Sequence, residues 1–202
     1  MKLYYSPGAC SLAAHIALHE TGLPFDAVKV EGRGQKTAGA EEYIKVTPKN
    51  YVPALRLDDG EVLTEGTAIL PFIADLKPGS GLAPAHGTFA RYRLHEWLGY
   101  INSEVHKNFS PFFTPGVTDE QKAVARANLG KRFDFLTESL EGREHLLGGG
   151  FTVVDAYLFT VLGWCRYVGI DLTPWPTLQA YHQRIAQRPS AQAAMRAEGL
   201  IK

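Results

Sequence analysis

The opening thirty residues constrain the fold more than any other stretch of the chain. Leu3-Tyr4-Tyr5 is a short aromatic and apolar run of strand character, and Ser6-Pro7-Gly8 stops it with a turn signal. Ser11–Thr21 then carries Leu12, Ile16 and Leu18 at helical spacing, Gly22-Leu23-Pro24 ends that helix, and Phe25–Val30 reads as a second strand. A strand, a helix and a strand in so short a span make a crossover unit, so the two strands are expected to lie parallel. Cys10 falls at the start of the helix, where unpaired N–H groups and the helix dipole favour an anion. Two readings follow from that position. Cys10 is either a thiol that ionises more easily than a free one or a small buried packing residue.

Glu31–Ala40 (EGRGQKTAGA) is polar and glycine-rich and reads as a loop, with a short helix after it over Glu41–Lys45. Thr47-Pro48-Lys49-Asn50 breaks the chain before Tyr51-Val52-Pro53-Ala54-Leu55. Leu55–Leu57 and Glu61–Leu63 flank Asp58-Asp59-Gly60, a hairpin signal. Thr64 is suited to cap a helix over Glu65–Leu76 with Ile69, Leu70, Ile73 and Leu76 on its apolar face. This order is the thioredoxin-like layout, and residues 1–77 are expected to form one α/β domain.

Lys77–Gly87 (KPGSGLAPAHG) reads as a linker, and beyond it strand patterns nearly vanish. Phe89–Phe109 is a long amphipathic segment with Leu94, Leu98, Ile101 and Val105 on one stripe, broken by Ser110–Gly116. Thr118–Leu140 begins with the capping-box pair Thr118 and Gln121, and the apolar Thr152–Val168 with Thr152 and Asp155. The latter is expected to be the central buried helix. Pro176–Arg188 and Pro189–Gly199 each open on proline. Residues 88–202 are therefore expected to form an all-α domain.

Lys and Arg together number 21, as do Asp and Glu, which points away from nucleic acid or an anionic membrane as the main partner. No run approaches the roughly 20 apolar residues of a membrane span. Met1-Lys2 leads straight into a strand with no signal-peptide pattern, so a cytoplasmic location is expected. Cys10 and Cys165 stand in different contexts, which disfavours a disulfide framework or a metal site, and no metal is expected. Cys165, between Trp164 and Arg166 in an apolar helix, reads as a packed thiol, and Trp164 as core or interface.

A thioredoxin-like domain followed by an all-α domain resembles the soluble glutathione transferases, and local motifs sharpen the resemblance. Tyr4-Tyr5-Ser6-Pro7-Gly8-Ala9-Cys10-Ser11 is similar to the N-terminal signature of the bacterial beta class. Val52-Pro53-Ala54-Leu55 resembles the family segment whose proline is cis, and Leu63-Thr64-Glu65-Gly66-Thr67-Ala68-Ile69 the start of its third helix. Phe151-Thr152-Val153-Val154-Asp155-Ala156 resembles its folding-related capping box, and Ser103-Glu104-Val105-His106-Lys107 the beta-class segment that brings a histidine to the cysteine. The matches run in order along essentially the whole chain.

The resemblance implies a cytoplasmic homodimer that uses glutathione as co-substrate and conjugates its thiolate to small hydrophobic electrophiles, with neither nucleic acid nor membrane as partner. It implies that Cys10 faces the glutathione sulfur and can form a mixed disulfide with it. Ser11 either donates a hydrogen bond to one of those sulfurs or caps the helix. His106 is expected to hydrogen-bond the Cys10 sulfur and assist proton transfer. Val52, before Pro53, would offer its backbone to the cysteinyl unit. Gly66 and Thr67 would give helix-start N–H groups to the γ-glutamyl carboxylate and Glu65 would take the ammonium. Lys36 and Lys107 are expected on carboxylates, and Ser103 and Glu104 complete the implied glutathione-binding set. Tyr5 is expected to be structural, and Phe109, Phe112 and Phe113 either wall the acceptor pocket or pack between domains. The chain departs from the family at Gly66, where many relatives carry serine, at Gln35-Lys36 in place of two lysines, and at Gly99 in place of asparagine. Other readings are a glutathione-dependent reductase, peroxidase or dehalogenase, and a non-catalytic protein that binds hydrophobic ligands or serves in stress. A single Cys10 with no cysteine three residues on excludes a dithiol cycle.

Overall fold

The computed structural model describes residues 1–31, 36–37 and 42–202, without the Lys36 side chain. Strand β1 (Lys2–Tyr5) lies at the centre of a sheet ordered β3-β2-β1-β4-β5. It pairs parallel with β2 (Asp26–Glu31), as the crossover pattern requires, and antiparallel with β4 (Ala54–Arg56). The Asp58-Asp59-Gly60 turn joins β4 to an antiparallel β5 (Val62–Thr64). Strand β3 (Lys36–Thr37) pairs antiparallel with β2 inside the stretch read as loop, and the rest of that loop, 32–35 and 38–40, lies outside the described residues. Helix α2 spans Tyr43–Val46, while Glu41 of the expected helix is outside the description.

Helix α1 (Ser11–Thr21) is buried along nearly its whole length, and Gly22, at a φ of 63°, closes it in the left-handed region. Helix α3 runs Gly66–Leu76. Its expected cap, Thr64, instead ends β5, and Glu65 is the cap residue at a φ of 69° with no side-chain cap bond. The reason lies across the cleft: Lys49 Nζ donates to Glu65 Oε1 at 2.7 Å and to Thr64 Oγ1 at 3.0 Å, drawing both side chains off the helix end.

The stretch read as linker is part of the packed body. Leu82 is buried, its carbonyl accepts the Val153 N–H, and buried Arg91 reaches back with paired bonds to Asp75 at the end of α3. Helix α4 (Phe89–Tyr100) does not continue unbroken, as its pattern predicts, but passes into a π-helical turn, Ile101–His106. Ile101, Val105 and Phe109 keep the apolar stripe fully buried through the change. The Glu104 carboxylate is held by Arg132, and its carbonyl accepts from Asn108 Nδ2 at 2.6 Å, so the widened turn is pinned from both sides. The helix break expected from Ser110 comes only after α5 (Lys107–Phe113), because Thr114 Oγ1 bonds the Ser110 carbonyl and satisfies the last turn.

Helix α6 (Asp119–Ser139) begins with the Thr118/Gln121 capping box. Helix α7 (Val153–Leu162) begins with the Thr152/Asp155 box, has all ten residues buried, and passes into a 3-10 segment, Gly163–Tyr167. Helices α8 (Pro176–Ala186) and α9 (Pro189–Ala197) complete the α domain. No helix among the described residues is long and apolar enough to cross a membrane.

Asp155 reaches beyond its own cap. Its oxygens accept from the N–H groups of Thr152 and Leu146, the Thr152 hydroxyl and the buried Tyr181 hydroxyl. Asp155→Ala strands these donors without water and is expected to cost about 3–5 kcal/mol, read as a lower urea midpoint at unchanged m-value. A second expectation concerns His182, which stacks on Phe159 and has a buried, unpartnered Nε2. Burial first, and Arg166 second, hold its imidazole down to about 4. The unfolded chain binds this proton near 6.5 and the folded chain does not, so stability falls as pH drops from 6.5 toward 4. Replacing His182 with Phe should remove up to about 3 kcal/mol of that loss, measured as a flatter dependence of thermal midpoint on pH.

Candidate active site

The loop after β1 is fastened at one glycine. Gly8, at a φ of 70°, donates its N–H to Glu198 Oε2 at 2.8 Å, and its carbonyl accepts from Trp164 Nε1 at 2.8 Å. Glu198 also meets His15 Nδ1 of α1 at 2.9 Å, with both side chains buried. The α domain thus grips the loop that presents Cys10 from two directions.

Cys10 sits at the N-cap of α1 in helical conformation, and its Sγ–H donates to the Val52 carbonyl at 3.2 Å. The peptide bond between Val52 and Pro53 is cis. Burial pushes the Cys10 thiol up to about 11, and Glu65 adds to the rise. The backbone N–H groups of Cys10 and Ser11 and the Lys107 ammonium act in the opposite sense and lose. Desolvation thus runs against the easier ionisation expected at the helix start, and the raised direction sets the dipole second to burial. Ser11 is corrected as well. Its buried hydroxyl accepts from the Ser6 N–H and donates to the Ser6 carbonyl, which ties the loop and leaves only its backbone N–H for a sulfur.

His106 ends the π-helical turn. Its Nδ1 lies 2.7 Å from the Tyr157 hydroxyl of α7, and that hydroxyl donates to Asn102 Oδ1 at 3.0 Å. The Trp164 indole meets the imidazole edge to face at 4.7 Å. Burial, followed by the neighbouring Lys107 charge, lowers the imidazole to about 4, so at neutral pH it is an uncharged acceptor.

Two cavities meet at Ala9, Cys10 and His106. The first, of about 890 Å³, is the richer in polar groups and is lined by Lys49, Asn50, Tyr51, Val52, Pro53, Thr64, Glu65, Gly66, Asn102, Lys107 and Tyr157 among others. At its far wall the bonds of α3 begin with the Ala68 N–H, so the Gly66 and Thr67 N–H groups have no partner within the helix. The second cavity, of about 620 Å³, is walled by Phe113, Trp164 and Tyr167, with Ser110 and Thr114 at its edge. A separate groove of about 770 Å³ beside Trp97, Tyr100 and Phe135 has no cysteine or histidine in its lining.

Of the candidates drawn from the sequence, Cys10, His106, Val52, Pro53, Glu65, Gly66 and Lys107 line the polar cavity. Thr67 stands just behind that lining at the start of α3. Ser103 and Glu104 are not brought into it: Ser103 is exposed elsewhere, and the Glu104 carboxylate is spent on Arg132. The Lys36 side chain lies outside the described residues. Of the three phenylalanines, Phe113 lines the aromatic cavity, while Phe109 is core and Phe112 packs beneath Arg126. Sequence reasoning missed Lys49 and Tyr157 as site residues and placed Trp164 in the core or an interface. The helical spacing that sets Asn102 behind His106 on a polar face points to a cleft, and both residues line this one.

The expected hydrogen bond between His106 and the Cys10 sulfur is not made, since Cys10 turns to the Val52 carbonyl and His106 Nδ1 to Tyr157. A cysteine at a helix start in a thioredoxin-like domain that shares two cavities with a histidine of an all-α domain nonetheless defines a two-domain thiol-handling enzyme. Family models described as the N-terminal and C-terminal domains of glutathione S-transferase match residues 8–76 and 100–189. Glutathione S-transferase GstA of Escherichia coli O157:H7 is 44% identical over 200 residues, covering 99% of this chain and 100% of its own. A sphingomonad glutathione S-transferase solved in complex with glutathione is 52% identical with a TM-score of 0.96, covering all of both chains. A bacterial beta-class enzyme from Sphingomonas chungbukensis superposes equally well, at 52% identity and a TM-score of 0.96 over all of both chains. The chain belongs to the glutathione S-transferases, on their bacterial beta-class branch.

The raised thiol yields a direct expectation. Alkylation of Cys10 by iodoacetamide in the free enzyme should be slower at pH 7.5 than that of an ordinary thiol and should climb through a midpoint near 11. A midpoint below 8.5, the ordinary thiol range, would show that the helix start dominates after all.

Proposed function

We propose that the polar cavity binds glutathione and the aromatic cavity a flat hydrophobic electrophile, with the glutathione sulfur lying where the two meet between Cys10 and His106. The observation that carries this reading is the sharing of Ala9, Cys10 and His106 by one polar and one aromatic cavity. Glutathione is an extended tripeptide with two carboxylates, an ammonium and a thiol, and the polar wall offers a matching set. The Val52 backbone suits the cysteinyl unit, the Gly66 and Thr67 N–H groups suit the γ-glutamyl carboxylate, and Glu65 suits the ammonium. Lys107 supplies charge for the other carboxylate, with Lys49 adding a cation at the Glu65 side.

In the reaction, His106 takes the proton of the glutathione thiol on its free ring nitrogen and later releases it to solvent. The backbone N–H groups of Cys10 and Ser11 stabilise the resulting thiolate. The thiolate attacks the electrophilic carbon, a C–S bond forms, and the leaving group departs with the electrons of its bond. Cys10, held as a neutral thiol, serves this step as a hydrogen-bond donor to the thiolate rather than as a nucleophile. Thiol–disulfide exchange through a mixed disulfide needs the Cys10 sulfur itself. The active form is read as a cytoplasmic homodimer, each copy divided into a 1–77 glutathione domain and an 88–202 electrophile domain.

The test compares wild type with Cys10→Ala in two assays. Conjugation to a generic aryl halide should survive within about tenfold, because one donor among several is lost. Reduction of a glutathione mixed disulfide should disappear. Loss of both activities with glutathione binding intact would make Cys10 central to conjugation. Binding without either activity in wild type would leave a ligand-binding protein.

A further inference from the structure

We propose that Tyr157, backed by Asn102, is a positioning residue for His106: it fixes the imidazole in the tautomer that carries its proton on Nδ1 and so turns the Nε2 lone pair toward the cleft. This deepens the reading above and rests on it for the catalytic consequence, though not for the tautomer itself.

Protons decide the direction of this relay. A tyrosine hydroxyl has one to give and two lone pairs to receive with. The Tyr157 hydroxyl gives its proton to Asn102 Oδ1 at 3.0 Å, so the lone pair 2.7 Å from His106 Nδ1 must receive, and Nδ1 must carry hydrogen. A neutral imidazole has a single N–H, which leaves Nε2 as the acceptor. No protein group among the described residues bonds Nε2, and His106 lines both cavities at their junction.

The parts of this relay are held rigidly. Tyr157 is 2% exposed and sits on α7, the wholly buried helix, so packing holds its ring in place while its hydroxyl reaches the cavity wall. Burial also raises that hydroxyl far above its ordinary range, and it stays a neutral O–H donor across working pH. Trp164 packs against the imidazole at 73° and Asn102 rides on the same π-helical turn as His106, so neither the ring nor its partner is free to rotate away. The other charged or titratable groups around this point are the Cys10 thiol at the start of α1, Glu65 across the cleft and Lys107 on the following turn. The reverse relay, in which Tyr157 donates to Nδ1, would need Asn102 to present its amide nitrogen instead and would put hydrogen on Nε2, closing the acceptor the reaction needs.

The experiment uses the full-length enzyme labelled with 15N-histidine, read by long-range proton–nitrogen correlation at neutral pH. Wild-type His106 is expected to show a protonated-type Nδ1 and a pyridine-type Nε2. In Tyr157→Phe that preference should be lost. In Asn102→Ala the Tyr157 hydroxyl becomes free to donate to Nδ1, and the protonated signal should move toward Nε2. Kinetically, Tyr157→Phe should lower kcat for aryl halide conjugation about tenfold while the KM for glutathione changes less than about twofold. In a His106→Ala background the same change should cost nothing further, since the tyrosine acts through the histidine. A protonated Nε2 in wild type overturns the proposal, as does a further tenfold loss in that background. If His106→Ala itself conjugates at the wild-type rate, the catalytic role proposed for His106 falls, while the nitrogen spectra still decide the tautomer.

Discussion

The clamp on Gly8 is the contact on which the site depends. A helix start from the thioredoxin-like domain can face a histidine from the α domain only if the two are held in register at that point. The register comes from Glu198 and Trp164, which receive and donate one hydrogen bond each at the two polar groups of a single peptide residue. The left-handed conformation of Gly8 turns both groups outward, and a residue with a β-carbon would be strained there. Everything that follows, including the meeting of a polar and an aromatic cavity at Cys10, presupposes this seam.

Burial sets the electrostatics of the two groups. A helix N-terminus offers a nearby anion roughly 0.3–1 kcal/mol, and about 2 kcal/mol in favourable cases. Raising a thiol from 9.0 to about 11 corresponds to about 3 kcal/mol against the thiolate. Burying Cys10 therefore costs the thiolate more than the helix returns. The same burial holds His106 neutral. The result is a division of labour in which Cys10 donates hydrogen, His106 accepts it, and the charged sulfur belongs to the substrate.

Much of the architecture was legible in the chain, for local reasons. The crossover unit, the hairpin at Asp59-Gly60 and the capping boxes at Thr118 and Thr152 rest on residues a few positions apart, and each formed where the spacing placed it. Failures came where a distant group intervened. Thr64 lost its cap role because Lys49 claimed its hydroxyl, and Ser11 turned to Ser6 instead of the cleft. The uninterrupted helix through His106 became a π-helical turn because Arg132 and Asn108 hold Glu104 in it.

By itself, then, the sequence determined the order and kind of the elements, the place of Cys10 at a helix start and the presence of His106 on a helix face, because these follow from hydrophobic period and local hydrogen bonding. Only the tertiary structure decided what those two residues are chemically. The ionisation of Cys10 depends on what covers it, and the tautomer of His106 depends on a tyrosine 51 positions away. The loop that presents the thiol is held by residues 156 and 190 positions along the chain. Desolvation and hydrogen-bond direction are properties of neighbours in space, and spacing along a chain does not encode them.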